Sequence, residues 1–226
     1  MAGALAKREV VVAVVPALAM ANRFGRYKPE TERTVRKVEV VENETLEKLK
    51  EVWKAIPSKD RYWDRYYGDV AKRVSWIRYS VSDVENFSLA IAGFQGDENF
   101  GYKAGMFLSA LVNVGMLYDY VVHTVHLEIA PYALGYENIK RVTVDGDVNY
   151  MLGWDMKCGE IAVTGNARGM IGEGLKGGRI RICGDAGDQI GEWMLGGEIW
   201  LESAMGSIHN VQGGKIFHKG ELIFPR

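Results

Sequence analysis

The feature that most constrains this chain is a 19-residue periodicity in its last third. Advancing by 19 carries Gly146 onto Gly165 and Gly184, Gly153 onto Gly172 and Gly191, and Gly159 onto Gly178 and Gly197; a shorter step of 17 then reaches Gly214. Apolar positions keep the same step: Leu152, Ile171 and Ile190; Met156, Leu175 and Met194; Ile161, Ile180 and Ile199, followed by Ile216. Asp147, Asn166 and Asp185 follow the first glycine of each unit, and eighteen of the 27 glycines fall within residues 142–226. Glycine reaches positive φ without steric cost, and Asn and Asp tolerate it better than other side chains. Three such corners per unit turn the chain through one coil, so equivalent residues stack about 4.8 Å apart and the apolar positions form inward ladders. One coil cannot hide its own apolar face, so several must stack. The sequence supplies three good coils, a degenerate one over Leu201–Phe217, and a closing strand at Glu221–Phe224 that reads as a cap.

Upstream of about residue 136 the pattern is mixed. Val10–Val15 reads as a buried strand and Arg33–Val41 as a half-exposed one. Thr45 is a candidate N-cap for a helix carrying Leu46, Leu49, Val52, Trp53 and Ile56, which Pro57 ends. Val74–Val81 and Phe87–Ile91 are read as further strands, Gly101–Met116 as a core helix, and Tyr118–Ile129 as an alternating strand closed by Pro131. The fold class expected is an α+β N-terminal domain over residues 1–135, followed by a right-handed single-stranded parallel β-helix over residues 136–226.

The stretches Val142–Val148, Gly159–Ala167, Gly177–Asp188 and Met194–Trp200 resemble the GXGXG superfamily. That group includes the C-terminal β-helix of the glutamate synthase large subunit and one of the subunits of formylmethanofuran dehydrogenase. The resemblance implies a β-helix that packs against catalytic domains or subunits and holds them in register, without chemistry of its own. It covers roughly 85 residues, all at the C-terminal end. Residues 1–135 show no counterpart of the flavin and iron–sulfur domains of glutamate synthase.

Candidate chemistry is sparse. His126 and Glu128 share one face of the strand expected at Tyr118–Ile129, so they are the candidate acid–base pair, whereas His123 should point to the opposite face. Arg61, Tyr62, Trp63 and Tyr66 belong to an aromatic-basic segment suited either to a protein partner or to a contact between the two halves of this chain. Gly96–Lys103 lacks the Gly-Lys-Ser/Thr of a phosphate loop and reads as a turn and helix cap. Asp185, Asp188 and Glu192 cluster in the third coil, where turn chemistry explains most of the grouping. Cys158 and Cys183 sit at different offsets and read as reduced packing residues.

A formal net charge of −1 argues against nucleic acid as a partner. The run Val10–Ala21 follows Lys7 and Arg8 as a signal peptide would, but Glu9 and Pro16 interrupt it, and it falls short of the roughly 20 apolar residues of a membrane span. The expectation is a cytoplasmic protein without cofactor or metal, working with a protein partner or as a homo-oligomer away from membranes. The leading reading is a non-catalytic scaffold. The alternative is an enzyme or enzyme subunit related to amidotransferases or formylmethanofuran dehydrogenase-type oxidoreductases, with its site at the domain junction.

Overall fold

The computed structural model describes residues 7–9, 39–57 and 62–225. The strand expected at Val10–Val15 and most of that at Arg33–Val41 lie outside them. The end of the latter is β2 (Glu39–Val41), paired antiparallel with β1 (Lys7–Glu9). The outer edge of β2 is met by Asn86, whose side-chain oxygen accepts from Val41 N at 2.8 Å and whose amide donates to Val41 O at 2.5 Å.

Helices dominate the described residues between Glu44 and Val114. Helix α1 (Glu44–Ala55) is capped by Asn43, not Thr45: the Asn43 side chain accepts from Leu46 N at 2.7 Å, while Thr45 is already inside the first turn. Helix α2 (Trp63–Val74) buries Tyr66, Val70 and Val74, one residue per turn. Gly68 lies on its open side, where an added methyl would meet nothing within 4 Å. Gly68→Ala is therefore expected to raise stability by about 0.5–1 kcal/mol, because it removes only the entropic cost of glycine in a helix. Thermal melts of the two proteins check this.

Two expected strands are overturned here. Phe87–Ile91 belongs to helix α3 (Val81–Ala90) and the 3₁₀ turn after it, and Val74–Val81 is the end of α2, a turn and the start of α3. A short apolar run fits a buried helix as well as a strand. What decides is the reciprocal cap at Ser80 and Asp83, where Ser80 Oγ accepts from Asp83 N while the Asp83 carboxylate accepts from Ser80 N at 2.9 Å. The described residues between Glu44 and Val114 thus form a helical region ahead of the strands that follow. The core helix expected at Gly101–Met116 is present as α4 (Phe100–Val114), entered through Asn99 in the left-handed region.

The rest is a parallel β-solenoid of about five turns. Its long face stacks β3 (Asp119–His123), β4 (Arg141–Asp145), β6 (Glu160–Val163), β8 (Arg179–Ile182), β10 (Glu198–Leu201) and β11 (Lys215–His218) in parallel. The last strand, β12 (Glu221–Phe224), folds back antiparallel on β11. A shorter face stacks β5 (Val148–Tyr150), β7 (Ala167–Gly169) and β9 (Ala186–Asp188). The ladder starts with β3, ahead of the division at residues 135/136 drawn from composition. The strand expected over Tyr118–Ile129 stops at His123. There Thr124 N and Val125 N both donate to Asp145 O, at 2.8 and 3.1 Å, and the chain turns the first corner.

The two repeated sequence ladders interlock. Ile161, Ile180, Ile199 and Ile216 are adjacent in register and fully buried. Each places its Cδ1 where a glycine one coil back lacks a Cβ. A methyl on Gly153 would lie 2.5 Å from Ile180 Cδ1, and one on Gly172 would lie 2.8 Å from Ile199 Cδ1. Each buried isoleucine contributes roughly 1.5–3 kcal/mol, and the missing methyls are the space it occupies. The Asx residues stitch the corners: Asp147 Oδ1 accepts from Asn166 N, Asn166 Oδ1 from Asp185 N and Asp185 Oδ1 from Ala204 N, at 2.7, 2.8 and 3.1 Å.

On the outside of the long face one row alternates in sign: Asp119, Arg141, Glu160, Arg179, Glu198 and Lys215. Arg141 lies 2.8 Å from Asp119 and 3.8 Å from Glu160, and Arg179 lies 2.9 Å from Glu198. Exposed pairs of this kind add little stability individually. In an in-register parallel stack, however, like charges would sit directly against each other, and alternation avoids that. No helix among the described residues is long and apolar enough to cross a membrane.

Candidate functional site at the helix–solenoid junction

The first coil would expose a bare edge, and the helices cover it. Helix α4 carries Gly101, Gly105 and Ser109 at four-residue spacing, which clears one stripe of side chains. The coil backbone fills that stripe: Tyr132 N donates to Gly101 O at 2.9 Å, and the Tyr132 carbonyl occupies the place of a Gly105 methyl. Ser109 Oγ accepts from Gly135 N at 2.8 Å while donating to Gly105 O at 2.6 Å. Helix α3 covers β3 itself, with Ser88 Oγ accepting from His123 N at 3.0 Å.

Beside that bond lies the most concentrated charge at the junction. His123, only 7% exposed, is held between two carboxylates, with Nδ1 at 3.0 Å from Asp145 and Nε2 at 2.9 Å from Glu85. Asp145 is its register neighbour on β4, and Glu85 comes from α3. Burial alone would depress the imidazole, but the hydrogen bonds and charges of Asp145 and Glu85 outweigh it and raise its pKa to about 9. The ring is therefore charged at neutral pH with both nitrogens donating. That makes it an ionic clamp between α3 and the first two coils; it has no lone pair with which to accept a proton.

The residues expected to pair do not meet. His126 lies beyond the end of β3, its Nε2 3.1 Å from Leu89 O, with Nδ1 buried and without a partner; burial pushes its pKa down. Glu128 is exposed, and its backbone N–H, with that of Ile129, donates to Gln95 Oε1. They were expected on one face of a strand that the chain leaves at His123. Sequence reading missed the clamp because Glu85 sat in a segment read as lying between strands. The Ser80–Asp83 cap, with Val84, Phe87 and Ile91 at helical spacing, is the signal that would have placed it.

Of the aromatic-basic segment, Arg61 lies outside the described residues and Tyr62 is exposed. Trp63 and Tyr66 turn inward. Trp63 stacks on Tyr102 at 4.8 Å and Tyr102 on Tyr132 at 4.6 Å. In parallel, Tyr67 meets Tyr136 at 5.0 Å and Tyr136 meets Trp154 at 4.9 Å. Two aromatic files thus run from α2 into the solenoid, each pair contributing roughly 0.5–1.5 kcal/mol beyond its buried area.

The remaining candidates serve structure. In the Gly96–Lys103 turn, Asp97 accepts from Trp53 Nε1 at 2.8 Å and from the buried Lys103 Nζ at 2.9 Å, which commits the one cation a phosphate would need. Asp185 and Asp188 are each satisfied by the next coil, through Ser203 with Ala204 and through Ser207. Those bonds hold both carboxyls below their usual range. Among the described residues no group of three His, Cys, Asp or Glu is arranged to hold a metal ion. Comparison of the chain with protein-family models, curated proteins and solved structures finds no match.

Proposed function

We propose that the chain is a non-catalytic scaffold or subunit-docking protein, similar in role to the C-terminal β-helix of the glutamate synthase large subunit, with its single chain wound right-handed. The observation that carries the reading is an apolar row at one corner of the first coils. Met116 is 89% exposed, Leu117 61% and Ile139 39%. Leu117 and Ile139 each lie two residues ahead of the paired strands β3 and β4, and Lys140 Nζ ties the two coils by donating to Gly115 O and Leu117 O, both at 3.0 Å. The corner backbone is therefore fixed while its apolar side chains stay uncovered, an arrangement suited to docking. The clamp at His123 supports the same reading, since the junction is spent on fastening two halves together.

The test is the association state of the full chain by sedimentation velocity, alone and after cross-linking in host lysate. The wild type is expected to run as a complex, with itself or with a second protein. The double variant Leu117→Lys, Ile139→Lys should run as a monomer with an unchanged melting temperature. A monomeric wild type that cross-links to nothing removable by this variant would end the reading. The enzymatic alternative, with its site at the junction, has one observation on its side: the unbonded Nδ1 of His126 beside the clamp. That nitrogen is buried. Two hollows of about 350 Å³ are lined by residues of α1, α2 and their ends, none of them in this cluster.

A further inference from the structure

One corner of the solenoid breaks the rule of sign that its long face keeps. Asp155 N donates to Glu173 O at 2.9 Å and Gly174 N to Glu192 O at 2.8 Å, so Glu173 and Glu192 are equivalent residues of neighbouring coils. Equivalent backbone positions in such a stack lie about 4.8 Å apart. Two glutamates thus follow one another where the outer row of the long face alternates in charge.

The other carboxylates of this corner each have a basic partner. Glu137 lies 2.8 Å from Lys157, Asp155 lies 2.8 Å from Lys176, and Glu192 lies 3.4 Å from His209. Glu173 has no ion pair among the described residues, and its Oε2 is buried without a hydrogen-bond partner. The sequence shows why a cation is missing: the position held by Lys157 and Lys176 passes to Leu195 in the next coil. The groups that face Glu173 are Asp155 and Glu192, with Lys176 and His209 engaged by them, and Tyr102 of α4. Tyr102 is stacked between Trp63 and Tyr132, and its hydroxyl donates to Met151 Sδ at 3.9 Å, so it ties this corner to the helices.

A buried carboxylate oxygen without a donor is costly as an anion and less so as the neutral acid. Burial, and after it the charges of Glu192 and Asp155, push the Glu173 pKa above the usual carboxylate value. A proton on either oxygen removes the charge with no rearrangement of the coil.

We propose that Glu173 is a proton-sensitive joint: as pH falls it takes up a proton ahead of the paired carboxylates of the solenoid, and the neighbouring coils and the α4 contact at Tyr102 hold together more firmly. The folded chain binds this proton more tightly than the unfolded chain does. The stability it contributes is complete below the unfolded value of about 4.5 and is lost as pH rises through the folded one. Asp185 and Asp188, whose carboxyls lie below their usual range, have the opposite sign, so Glu173 works against the acid sensitivity they confer. The inference stands apart from the docking row at Leu117 and Ile139 and is tested without touching it.

The test uses the full chain labelled with carbon-13 at glutamate, with carboxyl resonances followed from pH 7.5 to pH 4.5 and Glu173 assigned by its loss in Glu173→Gln. Glu173 should titrate above the value of glutamate in an unfolded peptide, and Glu192→Gln should lower its midpoint. In thermal melts Glu173→Gln should exceed the wild type by about 2–4 °C at pH 7.5, and the excess should fall below half by pH 4.5. Glu198→Gln, which removes a carboxylate paired with Arg179, should not raise the melting temperature at pH 7.5. A Glu173 midpoint at or below the peptide value, indifference of that midpoint to Glu192→Gln, or an excess that persists unchanged at pH 4.5 would each overturn the proposal.

Discussion

Gly178→Ala should lower stability by about 4 kcal/mol and the melting temperature by roughly 10 °C, although it adds a single methyl group. The backbone there has φ +88°, a region that costs an L side chain roughly 1–2 kcal/mol. The added Cβ would also lie 2.6 Å from Gly159 O, 2.8 Å from Cys158 C and 2.7 Å from Met156 Cε. Two of those three atoms are backbone of the preceding coil, whose position is fixed by the ladder of hydrogen bonds on either side. No rotamer can relieve the clash, so the coils must part locally. Gly93→Ala is the matched control, since a methyl there meets nothing within 4 Å. Thermal melts by circular dichroism decide it. A Gly178→Ala protein that melts with Gly93→Ala would mean that the coils do not approach each other as described.

The second large effect is on pH. Because the folded state raises the His123 pKa to about 9, the native protein holds that proton more tightly than the unfolded chain does. The stabilisation is complete below the unfolded value of about 6.5 and is lost as pH rises through 9. A shift of this size corresponds to about 3 kcal/mol. Solvent reduces it towards about 2, because the Glu85 side chain is 37% exposed. Denaturant unfolding at pH 6 and pH 10 should therefore show the wild type losing about 2 kcal/mol more than His123→Gln over that interval. Equal losses in the two proteins would remove the clamp from the account. The groups facing the ring from every side are Glu85, Asp145 and His126, so Glu85→Gln should remove part of the difference and Asp145→Asn another part.

The solenoid was legible because stacking forces repetition: every coil solves the same packing problem with the same residues at the same places. What hid the first coil is its length. Asp119 lies opposite Arg141, an offset of 22 rather than 19, so the periodicity that finds Ile161 and Ile180 passes over β3. A second class of corners was invisible for another reason. Met151, Met170 and Gln189 occupy the left-handed region at φ 67°, 49° and 61°, as do Asp155 and Trp193 at 53° and 56°. These corners carry ordinary side chains at a modest cost, and only Gly174, at φ 62° between Asp155 and Trp193 in the second row, marks them with a glycine. The interlock of glycine with isoleucine could not be read either, since each partner was visible as its own ladder but their contact spans two coils. In the helical region the apolar run at Phe87–Ile91 was compatible with either element. With α3 misread, Glu85 had no reason to meet His123, 38 residues away.

The alternating row on the long face has a consequence for how such a chain can change its length. Between any two neighbours in the series Asp119, Arg141, Glu160, Arg179, Glu198, Lys215 the sign flips. Gene duplication or loss of one coil would therefore bring two like charges face to face, whereas gain or loss of two would leave the order intact. Growth of this solenoid is favoured in even steps, with a parity written along its outer face.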